Sequence, residues 1–160
     1  MDATRTTEAT AERTSERELV VSRTINGRAR TVFEAWTRPE LFERWWVPKS
    51  FPITLLSCEL DVRVGGRYRL EFGYEGSTME FFGRYLEVTP PSRLVWTNEE
   101  DGDNGSVTTA TFEDQGDKTR VVVHELYPSK EALDAARASG MENGTCEQHE
   151  QLDELLVSLA

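Results

Sequence analysis

Leu60-Asp61-Val62-Arg63-Val64-Gly65-Gly66-Arg67-Tyr68-Arg69-Leu70 is the stretch that decides the fold. A glycine pair interrupts a β-like pattern there. Glycine reaches backbone conformations closed to other residues, so the pair predicts a tight turn or a strand bend. Beyond it Tyr68, Leu70, Phe72 and Tyr74 alternate with Arg67, Arg69 and Glu71, the period of a strand with one buried face. That face is aromatic and wide. Arg44-Trp45-Trp46 lies just upstream in a segment of helical spacing. A curved sheet carrying large, partly polar inward side chains suits a cavity as well as a filled core. On the opposite face Glu71 and Arg84 are expected as cross-strand surface partners. Glu80 should point outwards if Met79 and Phe81 point in, and Asp61 and Arg63 should tie the bend.

Outward from this centre the chain is punctuated by turn chemistry. Leu19 to Ile25 reads as a first strand closed by Asn26-Gly27. Val32, Phe33 and Trp36 then recur at helical spacing over Arg30 to Thr37. Pro39 can open a second short helix, where its missing donor costs nothing, running past Trp45 and Trp46 to a stop near Pro48. Six strands follow at about 53–60, 66–74, 78–88, 93–98, 106–113 and 118–127. Short Gly, Pro, Asp and Asn connections between most of them favour an antiparallel meander. Ser129 is a predicted N-cap for a helix ending at Ser139-Gly140.

Met141 to Leu159 is the last predicted helix, with Leu152, Leu155, Leu156 and Leu159 on one face. Stepping that face backwards meets His149, Thr145 and Met141, with Gly144 and Cys146 beside it. One half of the stripe is leucine and the other small or polar. A helix laid across the sheet would pack tightly at its leucine end and leave room at the other. The alternative is that the small, polar half simply nears solvent.

Composition bounds the rest. At 160 residues the chain is expected as one domain at 18–160, preceded by a disordered tail at 1–17 rich in Thr, Glu, Ala and Arg. Lys and Arg number 18 against 29 Asp and Glu, a formal charge of −11. Such a surface repels phosphate backbones and anionic lipid, so neither nucleic acid nor membrane is an expected partner. No stretch reads as a membrane span or a signal peptide, and the cytoplasm is the default location. Cys58 and Cys146 lie far apart and read as free buried thiols rather than a disulfide framework.

The phrases between these landmarks resemble a known family. Ser22-Arg23-Thr24, Val32-Phe33-Glu34-Ala35-Trp36 and Thr37-Arg38-Pro39-Glu40 are similar to its opening strand and helix pair. Arg44-Trp45-Trp46, Asp61 through Gly66, Gly83-Arg84-Tyr85 with Glu87-Val88, and Arg93 through Thr97 resemble its strand signatures. Lys118-Thr119-Arg120-Val121, Gly140 through Gly144 and Leu152 through Leu156 resemble its last strand and closing helix. The family is that of the activator of heat-shock protein 90 ATPase homologues, in the SRPBCC superfamily of START-like and birch-pollen-allergen-like proteins. The resemblance covers about Leu19 to Leu159. It implies an α+β helix-grip fold: a curved antiparallel sheet of about seven strands, two short helices after strand one, and a long C-terminal helix packed across the sheet. Superfamily members bind lipids, sterols and polyketides between sheet and helix, and some became enzymes there. The family name points to a co-chaperone role and a stress response, but fold alone does not assign function.

No catalytic motif stands out. Cys146 and His149 form a helical Cys-x-x-His pair, but a zinc site needs further ligands and a nucleophilic dyad needs an oxyanion hole and an orienting carboxylate. His124, on the last strand, and His149 are the two histidines, and a hydrogen-bonded, partly buried imidazole is the expectation for His149. Gly65-Gly66 lacks the residues of a phosphate-binding loop. No catalytic residue, metal or cofactor is therefore expected. The expected function is binding of a small hydrophobic or amphipathic ligand in a cavity lined by Trp46, Tyr68, Leu70, Phe72, Phe81 and Tyr85, with Trp96, Met141, Thr145 and His149. Two alternatives stand beside it: a protein-interaction module acting on a chaperone, and an enzyme using the same cavity. An exposed sheet edge or helix face could support a homodimer.

Overall fold

The computed structural model describes residues 10–99, 105–139 and 141–159, with no side-chain detail for 141–143. An open antiparallel sheet of eight strands carries the architecture, in the order β1-β2-β8-β7-β6-β5-β4-β3. The strands are β1 (Thr10–Arg13), β2 (Glu18–Ile25), β3 (Thr54–Leu60), β4 (Arg67–Tyr74), β5 (Ser77–Thr89), β6 (Arg93–Thr97), β7 (Val107–Asp114) and β8 (Thr119–Leu126). Two helices, α1 (Ala29–Thr37) and α2 (Pro39–Phe42), follow β2, and α3 (Lys130–Ala138) and α4 (Met141–Leu159) close the chain. This is the α+β helix-grip arrangement expected, with one strand more.

The extra strand falls in the later part of the expected tail, whose residues 1–9 lie outside the described residues. Thr10–Arg13 pairs antiparallel with Leu19–Ser22 at the sheet edge. Its composition is poor in apolar residues, yet an edge strand needs only backbone partners and one anchored side chain. Arg13 supplies the anchor, donating to Asp134 on α3 at 2.7 Å. A second correction concerns α2, which stops at Phe42 instead of running to Pro48. Trp45 and Trp46 follow in a tight turn, both amides donating to the Phe42 carbonyl. That turn throws the two indoles to different places: Trp45 is fully buried, whereas Trp46 stays partly open.

The glycine pair behaves as expected. Gly65 has φ +82, and a Cβ at Gly66 would lie 2.0 Å from the Asp61 carbonyl oxygen, so no side chain fits. Arg63 Nε donates to the Asp61 carboxylate at 2.9 Å across this bend. The Gly65 amide and Gly66 carbonyl bond to the backbone of Tyr85, joining the bend to β5. Further along β5 an extra residue shifts the register between Tyr85 and Glu87. Such bulges sharpen strand bending, and this one sits where the sheet turns toward β6.

The β4–β5 hairpin turns through Glu75 and Gly76, both at positive φ, which matches the right-handed twist of the strands. Its register places Glu71 opposite Glu80 and Arg67 opposite Arg84, so the Glu71–Arg84 pairing is corrected. Arg69 reaches Glu80 at 2.6 Å and Arg84 reaches Glu99 at 2.8 Å instead. Glu80 does face outwards. At such exposed sites these pairs contribute little to stability.

On the inner face one core joins helices to sheet through Val32, Trp36, Phe112, Leu94, Leu152 and Leu156. Trp36 is its hub, with ring centroids 4.8 Å from Trp45, 5.5 Å from Phe112 and 5.8 Å from Trp96. Ser129 caps α3 as expected, accepting from the Ala132 amide at 3.0 Å, while the Gly140 part of the expected break lies outside the described residues. In α4 Leu152, Leu155 and Leu156 are buried, but Leu159 is 42 % exposed. The stripe therefore ends a turn earlier than expected, because the sheet no longer lies beneath the last residues.

Candidate functional site

A cavity of about 540 Å³ lies between the sheet and the first half of α4. Its floor is built by strand alternation: Tyr68, Leu70 and Phe72 from β4, Phe81 and Tyr85 from β5, Trp96 from β6. Trp46 enters from the turn after α2, and Thr145 and His149 descend from α4. All the sequence-predicted residues thus meet around one space except Met141, whose side chain lies outside the described residues. The leucine half of α4 packs closed while Gly144, Thr145, Gln148 and His149 border the opening space. Phe51, Met79 and Phe81 sit at the rim, each 39 to 40 % exposed.

The α4 roof is held by side chains that the leucine stripe does not announce. Gln151 is buried; its Nε2 donates to the carbonyls of Trp45 at 2.9 Å and Val47 at 2.8 Å. Its Oε1 accepts from the Lys49 amide at 2.8 Å. Gln148 donates to the Trp46 carbonyl, and Glu147 accepts from the Ser50 amide at 2.9 Å. The ordered segment from Trp45 to Ser50 is thereby clipped to α4 and forms one wall. Gly144 is needed for the fit, since a Cβ there would sit 2.8 Å from the Phe51 ring.

Two polar features break the apolar lining. His149 is fully buried and edge-on to Trp36, with ring centroids 6.3 Å apart. Burial, and next the positive charge of Arg23, bring its pKa down to about 4, so the ring is neutral at neutral pH. Its Nδ1 has no hydrogen-bond partner among the described residues, nor has Trp36 Nε1. This corrects the expectation of a hydrogen-bonded, partly buried imidazole. The other histidine, His124, faces away from the cavity and meets Glu18 at 2.8 Å.

The second feature is Glu125, which continues the inward series Val121, Val123 on β8 and lines the cavity. It lies in a cross-strand row with Thr108 and Trp96. Thr108 Oγ1 and Tyr127 OH donate to its two carboxylate oxygens, each at 3.2 Å. Thr108 in turn accepts from Asn98 Nδ2 at 3.1 Å, and Asn98 Oδ1 accepts from Tyr68 OH at 3.2 Å. Burial raises the Glu125 pKa above the ordinary carboxylate range, and the bonds from Tyr127 and Thr108 oppose the rise. Glu125 is absent from the lining expected from the sequence. The alternation that made Val121 and Val123 inward was the signal that would have found it.

Cys58 is half-buried, and its thiol pKa is pushed up to about 12, burial being the main cause, so it is protonated and unreactive. Burial likewise raises the phenol of Tyr85. Among the described residues no group of three or more His, Cys, Asp or Glu could hold a metal ion, and Cys58 and Cys146 are not joined in a disulfide.

A bent antiparallel sheet gripped by a C-terminal helix, with an aromatic cavity between, defines a helix-grip protein. The family model described as "Activator of Hsp90 ATPase homolog 1-like protein" matches residues 26–157, and the chain belongs to that family. Comparison with curated proteins found no match. Among solved structures, a crystal structure of a Rhodobacter sphaeroides protein is similar at 25 % identity and TM-score 0.86, covering 96 % of this chain and 100 % of that one. A Nitrosomonas europaea protein is similar at 25 % identity and TM-score 0.81, covering 90 % of this chain and 96 % of that one. An AHSA1-like protein from Aeromonas hydrophila shares the fold at 20 % identity and TM-score 0.64, covering 85 % and 94 %. No helix among the described residues is long and apolar enough to cross a membrane.

Proposed function

We propose that this protein binds a small hydrophobic or amphipathic molecule in the cavity between the sheet and α4. The observation that carries the reading is the cavity itself, about 540 Å³ and walled largely by aromatic and aliphatic side chains. Small-molecule sites range over about 300–1,000 Å³ and combine apolar walls with few polar groups. Apolar walls that meet an apolar guest in place of water gain from the exchange. The residues proposed to contact the guest are Trp46, Tyr68, Leu70, Phe72, Phe81 and Tyr85, together with Trp96, Thr145 and His149.

Thr145→Trp tests this, because an indole at that position projects into the space. Native mass spectrometry and quenching of the cavity tryptophans by a lipophilic probe should show binding to the unsubstituted protein. Binding should fall at least tenfold in the variant while its circular dichroism is unchanged. Equal binding by both proteins would place the guest elsewhere, and absence of binding to either would end the proposal.

A further inference from the structure

We propose that the guest is a lipophilic organic cation, an amine with an aromatic or otherwise apolar body, whose ammonium pairs with Glu125 inside the cavity. This rests on the ligand-binding reading above and names the chemical class of the ligand. Glu125 is the one carboxyl group that lines the cavity among the described residues, and the lining imidazole, His149, is held neutral. Its hydrogen-bond donors are uncharged, the hydroxyls of Thr108 and Tyr127, and His124, next to Glu125 in the chain, is the charged group that acts on it. Among the described residues no lysine or arginine lines the space.

A carboxylate taken out of water with only neutral donors is poorly compensated. Glu125 is already desolvated by the fold, and an ammonium arriving with the guest favours its ionised form, so the pairing requires no further desolvation of the carboxyl. The surrounding walls suit the same charge. Trp36, Trp46 and Trp96 line the space, and aromatic faces attract cations. An anionic guest meets the opposite: ionisation of Glu125 would repel it, and among the described residues no lysine or arginine lines the space to receive it. At longer range the chain's charge of −11 draws cations toward its surface.

The experiment compares three probes with one apolar body: 1-pyrenemethylamine, 1-pyrenemethanol and 1-pyrenecarboxylate, followed by pyrene emission at neutral pH. The amine should bind about tenfold tighter than the alcohol, as expected when a charge-assisted contact replaces a neutral one, and the carboxylate should bind weakest. The preference should persist in 0.5 M salt, because exposed charge is screened over roughly 4–5 Å there, whereas a pair inside the cavity is not. Glu125→Gln should abolish the preference for the amine over the alcohol. Glu125→Asp, equally disturbing to the packing but still ionisable, should keep the preference. Equal binding of amine and alcohol, or a preference that survives Glu125→Gln or disappears in salt, overturns the inference while ligand binding stands. Failure of all three probes to bind overturns both.

Discussion

His149 is a neutral imidazole inside the protein, and linkage converts that into a pH dependence of stability. Unfolded, the ring takes a proton near 6.5; folded, it takes one only near 4. Between those values the unfolded state binds more protons, so the contribution is complete above 6.5 and is lost as pH falls toward 4. The loss is at most roughly 3 kcal/mol. Glu125 runs the other way: its folded pKa is raised, so its contribution is present at low pH and is lost as pH rises through the folded value. Glu125→Gln as the background therefore isolates His149. Urea unfolding between pH 7 and pH 4.5 should show stability falling with acid in that background and a flatter profile once His149→Leu is added. An unchanged slope would mean that His149 can be protonated without unfolding.

At the scale of elements, α4 was half legible. Its leucine spacing showed which face lies on the sheet, and the change to small residues toward its start showed where space would open. Gln148 and Gln151 were silent, because glutamine on a helix looks the same whether it faces water or caps a neighbouring loop. Only the approach of the turn after α2 gives Gln151 three backbone partners. Gln151→Leu should therefore cost more than its apolar gain, by about 2–3 kcal/mol, since buried carbonyls and an amide lose their partners. A denaturant titration giving no loss would show that those groups are satisfied in another way. The same logic explains why α2 ends at Phe42: local spacing favoured a longer helix, and burial of Trp45 with its Nε1 donating to the Ala35 carbonyl at 2.9 Å required a turn.

For the whole molecule, the strands from β2 to β8 were readable because each carries a two-residue period and most are separated by turn chemistry. β1 was not, since its four residues have no apolar alternation and owe their order to a partner already in the sheet. Deleting residues 1–14 should leave the fold and probe binding intact and lower stability by on the order of 1–3 kcal/mol, the worth of a few cross-strand pairs. Thermal unfolding checks this, and loss of the folded state would show β1 to be part of the core.

Local chemistry along the chain was sufficient for the antiparallel meander, the glycine bend and the inward rank of aromatics, because period, turn residues and forbidden φ values act over a few neighbours. Tertiary structure alone decided the partners of Arg69 and Arg84 and the burial of Gln151 and His149. Each of these depends on which distant segment supplies, or withholds, water and a hydrogen-bonding partner, and no stretch of sequence carries that information by itself.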